Sequence, residues 1–314
     1  MTRVPPPPHL SEQAQQHLRT PPHPIPNLNF VDSAVATGFR SETHAVWEAE
    51  PKGRPGSWIQ RDETIGGVSC VRFATAGADL DSDRLLVHLH GGAYVVGSPK
   101  TNAALPIAIT LRTAIPVVSI DYRLAPEHPC PAAVEDAVAV LTALGESHEL
   151  AGIFGESAGG GLAVSTLVEL TARNLPTPAT CALLSPWVDL TLSGDSHATM
   201  IGTDPEFVNV EVPPTLARAY AGDNTSDPVA SPLFADLTGL PPTLIQVGGR
   251  EILLSDSIRL AAAMRVADAA RPVVLDVWDG LWHVWQLDQD LPETTVALDE
   301  VARFLTLDSK AART

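Results

Sequence analysis

Cysteine is scarce in this sequence. Cys70, Cys130 and Cys181 are the only three in 314 residues, and no two of them have the spacing of a metal site or a redox motif. One stays unpaired in any disulfide scheme. Basic residues are also few, 20 Lys and Arg against 37 Asp and Glu, for a formal net charge of -17. That excess of acid opposes binding to nucleic acid or to an anionic membrane surface and chiefly maintains solubility. No apolar run reaches the roughly eighteen residues that a membrane helix needs, so no membrane span is expected. The segment from Met1 to Val4, followed by Pro5 to Pro8, lacks the apolar core of a secretion signal, and a cytoplasmic protein is the expectation.

Several chemistries lack their motifs. The only lysines are Lys52, Lys100 and Lys310, so no Ser-x-x-Lys occurs and a serine–lysine mechanism is out. There is no His-Glu-x-x-His and no clustered His/Cys set. His88 and His90 have the parity to share a strand face but no third ligand nearby, so neither metal nor cofactor is expected. The glycine patterns of phosphate and dinucleotide loops are missing as well.

What is present is an alternating α/β pattern. Strand signals begin at 67–73 and 84–89 and recur at 115–120, 151–154, 181–184, 243–247 and 273–278. Most are short, β-branched and apolar on both parities, as in strands buried on both faces. Helical stretches at 102–113, 131–144, 158–173, 255–270 and 293–306 lie between or after them, which indicates βαβ units and a mostly parallel sheet flanked by helices. Residues 1–30, rich in Pro, His and Gln, read as a mobile or extended arm, and weakly patterned polar sequence continues to about 60. The stretch from about 190 to 240, rich in Pro, Gly, Asp and Thr with one helix near 211–221, breaks the rhythm and reads as an insertion.

Gly155-Glu156-Ser157-Ala158-Gly159 closes one of the apolar runs and opens a helix. This is the context of a nucleophile elbow, a strained strand-to-helix turn with no room for Cβ atoms at its glycines. The bland alternative is an ordinary glycine-rich turn, or one holding a phosphate at the helix start. His90-Gly91-Gly92-Ala93 lies upstream and supplies main-chain N–H groups of the kind that hold an oxyanion. A serine nucleophile needs a base, and in this fold the chain order is Ser, acid, His. Of ten histidines only His283 follows the run at 243–247. His90 reads as a loop-orienting residue and His128 as a turn residue. The acid is open among Glu251, Asp256 and Asp279. Glu251, in the turn after 243–247, is favoured, because Asp256 suits a helix start and Asp279 a turn.

Together these segments resemble the hormone-sensitive-lipase-like family of α/β-hydrolases, over residues of about 84 to 290. His90-Gly91-Gly92-Ala93-Tyr94 is similar to its oxyanion loop, and Gly155 to Gly160 to its elbow. Asp121-Tyr122-Arg123-Leu124-Ala125-Pro126-Glu127-His128-Pro129, Ser185-Pro186-Trp187 and Ser231-Pro232-Leu233 match further segments. The resemblance implies an α/β-hydrolase fold with a helical cap built from the N-terminal segment and part of 190–240. It divides the chain into an arm and cap segment, 1–60, and a catalytic domain, 61–314. Carried over by residue, it implies Ser157 as nucleophile, His283 as base, and Gly91, Gly92 and the Ala158 N–H as the oxyanion hole. Three departures stand out: Ala93 replaces a third glycine, Glu156 and Glu251 stand where Asp is commoner, and that at 156 is expected to be without mechanistic consequence. The implied activity is serine carboxylesterase, on short- to medium-chain acyl esters and through an acyl-enzyme. An amide or acetyl-group hydrolase using the same residues and a non-catalytic small-molecule receptor are the alternatives. The expected partner is a small-molecule ester, and homodimers are common among proteins that look like this.

Overall fold

The computed structural model describes residues 5–20, 25–49 and 56–307. Positions 1–4, 21–24 and 50–55 of the expected arm, and 308–314, lie outside the described residues. Eight strands form one sheet: β1 (Trp58–Ile65), β2 (Val68–Thr75), β3 (Arg84–Leu89), β4 (Val117–Ile120), β5 (Glu149–Glu156), β6 (Cys181–Leu184), β7 (Thr243–Gly248) and β8 (Val273–Trp278). Their order is β1-β2-β4-β3-β5-β6-β7-β8. The β1–β2 and β2–β4 pairs are antiparallel, and β4, β3, β5, β6, β7 and β8 run parallel.

The helices are α1 (Glu12–Arg19), α2 (Ser33–Ala49), α3 (Ala104–Thr113), α4 (Ala132–Gly145), α5 (Ala158–Ala172), α6 (Ser196–Thr199), α7 (Val212–Ala221), α8 (Leu254–Ala267) and α9 (Pro292–Leu305). Alternating strand residues feed two cores, as the period of two requires. Leu86, Phe154, Leu184 and Leu244 pack with Leu105 and Ile109 of α3 and Leu298 and Val301 of α9. The other parity, Leu85, Val87, Ile153, Leu183 and Ile245, packs with Leu141 of α4, Leu162 and Leu167 of α5 and Leu260 of α8. Each fully buried leucine contributes about 1.5–3 kcal/mol of transfer free energy, so the parallel strands are rigid supports for the loops at their carboxyl ends.

The N-terminal segment is more ordered than its composition suggested: α1 forms within the expected arm of residues 1–30, α2 forms in the weakly patterned stretch after it, and both dock on the rest of the chain. The α1 cap residue Ser11 donates from its N–H and Oγ to the two carboxylate oxygens of Glu293, at 2.7 and 2.8 Å. The same hydroxyl accepts the Ala14 N–H at 3.1 Å, an N-cap bond. Helix α2 is held by Arg40, which donates to the Val95 and Ala125 carbonyls at 2.7 and 2.9 Å and forks onto Glu127 at 2.8 and 2.9 Å. Among the described residues no helix is long and apolar enough to cross a membrane.

Candidate active site

The carboxyl end of β5 turns into α5 within one residue. Ser157 sits in the turn at φ 54° and ψ -122°, a strained conformation for a residue with a Cβ. The strain is held by the Ser157 N–H, which donates to the Leu184 carbonyl at 2.9 Å, and by its carbonyl, which accepts the Trp187 N–H at 2.9 Å. Small residues bring α5 hard against β3: a Cβ at Gly159 would collide with the carbonyl oxygen of Leu89. That close approach is what aims the Ser157 side chain out of the sheet.

His283 is carried by the loop after β8, and Glu251 by the turn after β7. The His283 Nε2 lies 2.9 Å from Ser157 Oγ, and its Nδ1 lies 3.3 Å from Glu251 Oε1. The geometry fixes the tautomer: Nδ1–H donates to the carboxylate, leaving Nε2 to accept from the hydroxyl. The other oxygen of Glu251 accepts the Ser185 hydroxyl at 2.7 Å and the Gly248 N–H at 2.8 Å. Glu251 is fully buried, so its charge acts on the imidazole with little screening. Burial alone would lower the His283 pKa, but the hydrogen bond and charge of Glu251, helped by Asp204 and Glu206, outweigh it and hold it above 6.5.

The two other acid candidates point elsewhere. Asp256, in the first turn of α8, is buried beneath the loop after β6. Its carboxylate accepts the Val188 and Asp189 N–H groups at 3.2 and 3.0 Å and pairs with His197 Nε2 at 2.8 Å. Asp279 has 82% of its side chain exposed and stands 3.5 Å from His9. Neither contacts His283. His128 lies exposed in its turn. His90 is buried, stacks on Tyr122 at 4.2 Å and places Nδ1 2.8 Å from the Gly91 carbonyl, a loop-orienting contact.

One expectation about the oxyanion loop needs correction. The Gly91 N–H does not face Ser157; it donates to Glu156 Oε1 at 2.6 Å. A donor spent on a buried carboxylate is not free for a substrate oxygen. Gly92 and Ala93, at φ 116° and 54°, follow it into the cavity that also holds Ser157. Ala158 is the first residue of α5, where main-chain N–H groups have no intrahelical acceptor.

That cavity has a volume of about 330 Å³. The wall is mainly apolar, with Ile25, Phe39 and Trp47 from the N-terminal segment, Val96 from the loop after β3, and Phe207 and Leu216 from the stretch between β6 and β7. The Phe207 ring meets the His283 imidazole edge-on at 5.2 Å, and Glu206, His17 and Asp288 add polar groups to the wall. Sequence reasoning did not single out these wall residues. Only tertiary docking brings α1, α2 and residues 200–207 over the serine. Among the described residues, no group of three or more His, Cys, Asp or Glu could hold a metal ion.

Comparison with known proteins shows the family. Residues 86–287 match a family described as the alpha/beta hydrolase fold. The chain is 39% identical over 226 residues to an acetyl-hydrolase of Streptomyces hygroscopicus, covering 71% of this chain and 75% of that one. It is 36% identical over 242 residues to an esterase of Acinetobacter venetianus, covering 75% and 79%. Among solved structures it is similar to an esterase from the bacterial hormone-sensitive lipase family, at 37% identity and a TM-score of 0.80, covering 86% of this chain and 91% of the other. A crystal of EstE5 soaked with p-nitrophenyl butyrate is 35% identical with a TM-score of 0.78, covering 86% of this chain and 90% of the other. The chain therefore belongs to the alpha/beta-hydrolase family, among the esterases related to hormone-sensitive lipase, and is an ester hydrolase.

Proposed function

We propose that this enzyme is a serine carboxylesterase that cleaves short- to medium-chain acyl esters through an acyl-enzyme, with Ser157 as nucleophile, His283 as base and Glu251 as the acid that orients it. The observation that carries the reading is the Ser157 Oγ to His283 Nε2 contact of 2.9 Å, with the far ring nitrogen held by a buried carboxylate.

His283 takes the hydroxyl proton as Ser157 Oγ attacks the ester carbonyl. The oxyanion that forms is met by the N–H groups of Gly92, Ala93 and Ala158, in place of the set that began at Gly91. His283 then gives its proton to the departing alcohol, and in the second half it activates water against the acyl-enzyme. Losing one such donor typically costs about 3 kcal/mol of transition-state stabilisation, roughly a hundredfold in rate. The cavity volume of about 330 Å³ lies at the small end of the ~300–1,000 Å³ range of ligand pockets. Its size and apolar wall support a short acyl chain, as does the acetyl-hydrolase among the relatives.

Stopped-flow hydrolysis of p-nitrophenyl esters from acetate to dodecanoate tests this. The wild-type enzyme is expected to show a burst and to favour the shorter acyl groups, and Ser157→Ala is expected to show no burst. An undiminished burst in that variant would overturn the mechanism. Parallel turnover of the matching anilides separates an esterase from an amidase.

A further inference from the structure

A buried carboxylate and the imidazole bonded to it lie directly beneath the oxyanion loop, and the reaction steps above leave them without a role. Glu156 is the residue before Ser157 and is almost wholly buried. Its Oε2 pairs with His88 Nε2 at 2.9 Å, and His88 Nδ1 in turn lies 2.9 Å from Ser119 Oγ. Its Oε1 faces the other way, accepting the Gly91 N–H at 2.6 Å and Asn102 Nδ2 at 3.3 Å. Burial alone would push the Glu156 carboxyl up, yet His88 and the Gly91 N–H together hold it below its usual value. The carboxylate is thus ionised and acceptor-only, with every contact used.

The loop it holds is unusual. Gly92, Ala93 and Tyr94 have successive φ values of 116°, 54° and 63°, a left-handed run that persists only where surroundings over-determine it. Three bonds fix the stretch before that run. Tyr122 OH donates to the His90 carbonyl at 2.6 Å, His90 Nδ1 meets the Gly91 carbonyl at 2.8 Å, and Glu156 takes the Gly91 N–H. The His90 carbonyl and the Gly91 N–H are two edges of one peptide plane, so Tyr122 and Glu156 grip that plane from both sides, and Glu156 ties it to the residue before Ser157. The next plane, which carries the Gly92 N–H, is held by His90 at the Gly91 carbonyl and builds from the first.

We infer that Glu156 is a positioning residue for ester hydrolysis: its backbone carries the nucleophile while its side chain, backed by His88, anchors the peptide plane from which the oxyanion-hole N–H groups extend. One residue therefore fixes the spacing between Ser157 and the hole. On this proposal Glu156, with a histidine below it, has a mechanistic consequence that the sequence alone did not suggest. The inference rests on the serine-esterase reading.

Two variants of nearly equal volume separate acceptor from packing: Glu156→Gln keeps an oxygen for Gly91, and Glu156→Met does not. Active serines are counted with an organophosphate, and kcat is expressed per titrated site. In Glu156→Met, kcat per site is expected to fall roughly a hundredfold with KM changed less than about threefold, and affinity for a trifluoromethyl ketone analogue to fall in parallel. Glu156→Gln is expected to recover most of both. A merely structural role would lower the melting temperature and the number of titratable sites, leaving kcat per site and analogue affinity in place, and that result overturns the inference.

A second measurement needs only the wild-type enzyme, labelled with 15N at glycine and alanine. On forming a boronate adduct at Ser157, the amide signals of Gly92, Ala93 and Ala158 are expected to move while that of Gly91 stays. A comparable displacement of Gly91 overturns the inference. Absence of both p-nitrophenyl acetate hydrolysis and Ser157 labelling in the wild type would instead refute the serine-esterase reading itself.

Discussion

Ser185 Oγ donates to Glu251 Oε2 at 2.7 Å and accepts the Val284 N–H at 3.2 Å. One hydroxyl therefore ties the proposed acid to the loop that carries His283. Ser185 itself sits at φ 49° at the end of β6, where strain is tolerated because the neighbouring strands hold it. Ser185→Ala removes a hydrogen bond to a charged group, worth about 1.5–3 kcal/mol, so kcat is expected to fall roughly ten- to a hundredfold. Steady-state kinetics with p-nitrophenyl acetate checks this, and a kcat equal to wild type would show that the link is idle.

Glu251 and Asp256 are five positions apart and face different histidines, so their amides should behave differently. Glu251→Gln keeps the shape but offers the imidazole the wrong hydrogen-bonding partner, and kcat is expected to drop roughly 10³–10⁴-fold. Asp256→Asn leaves one of the two N–H groups at 188 and 189, or His197, poorly paired. It is expected to lower the melting temperature by several degrees while kcat stays within about fivefold. Kinetics and thermal melts on both variants decide the matter. Loss of turnover in Asp256→Asn alone would move the acid to Asp256.

The pH profile follows from the imidazole. Burial would lower the His283 pKa, yet Glu251 above all, then Asp204 and Glu206, hold it above 6.5. Acylation needs the neutral ring, so kcat/KM is expected to rise with pH along an acid limb centred above that value. Neutralising one of the raising charges moves the limb the other way: Glu206→Gln should shift it to lower pH. A pH–rate profile in which the variant's limb moves up or stays put would contradict the assignment.

Asp204 makes stability depend on pH in the opposite sense to an ordinary paired carboxylate. It is fully buried, with Oδ1 accepting the Glu206 N–H at 3.0 Å. Burial pushes its pKa up to about 7, with Glu251 and Glu206 adding to the rise and His283 opposing it. In the unfolded chain an aspartate titrates near 3.9. Between those values the folded state holds a proton that the unfolded state has released, so stability falls as pH rises through the window. Thermal melts at pH 5 and pH 8, run beside Asp204→Asn, are expected to show the wild type losing more between them than the variant does. An equal loss in both would remove Asp204 from the account.

The central sheet was legible because it obeys one simple rule. β3, β6 and β8 occupy the residues that their apolar runs marked, and the helices between strands carry enough buried leucine, valine and alanine to be recognised. β1 escaped notice because it is an edge strand whose residues are all at least partly exposed, so it carries no buried alternation. α1 and α2 escaped for a related reason: each buries a single alanine and is secured by polar contacts such as Arg40 to Glu127. At the site, the Gly-x-Ser-x-Gly turn pointed to Ser157 and chain order to His283, and three acids remained because neighbours in sequence can face opposite ways in space. The direction of an N–H group leaves no mark in a residue type. The use of Gly91 could not be read until the Glu156 carboxylate was seen against it.

The contact between Ser11 and Glu293 joins positions 282 apart, and α1 rests on Leu281, Trp282 and Trp285. That seat is synthesised long after α1 itself. Until then the early helix has nowhere to settle, and His17, stacked on Trp282 at 4.0 Å, cannot complete the rim of the substrate cavity. A nascent chain stalled short of residue 280 would also lack His283. Closing the pocket and supplying the proposed base thus become a single event in synthesis, and polypeptides cut short of it are expected to lack the proposed chemistry.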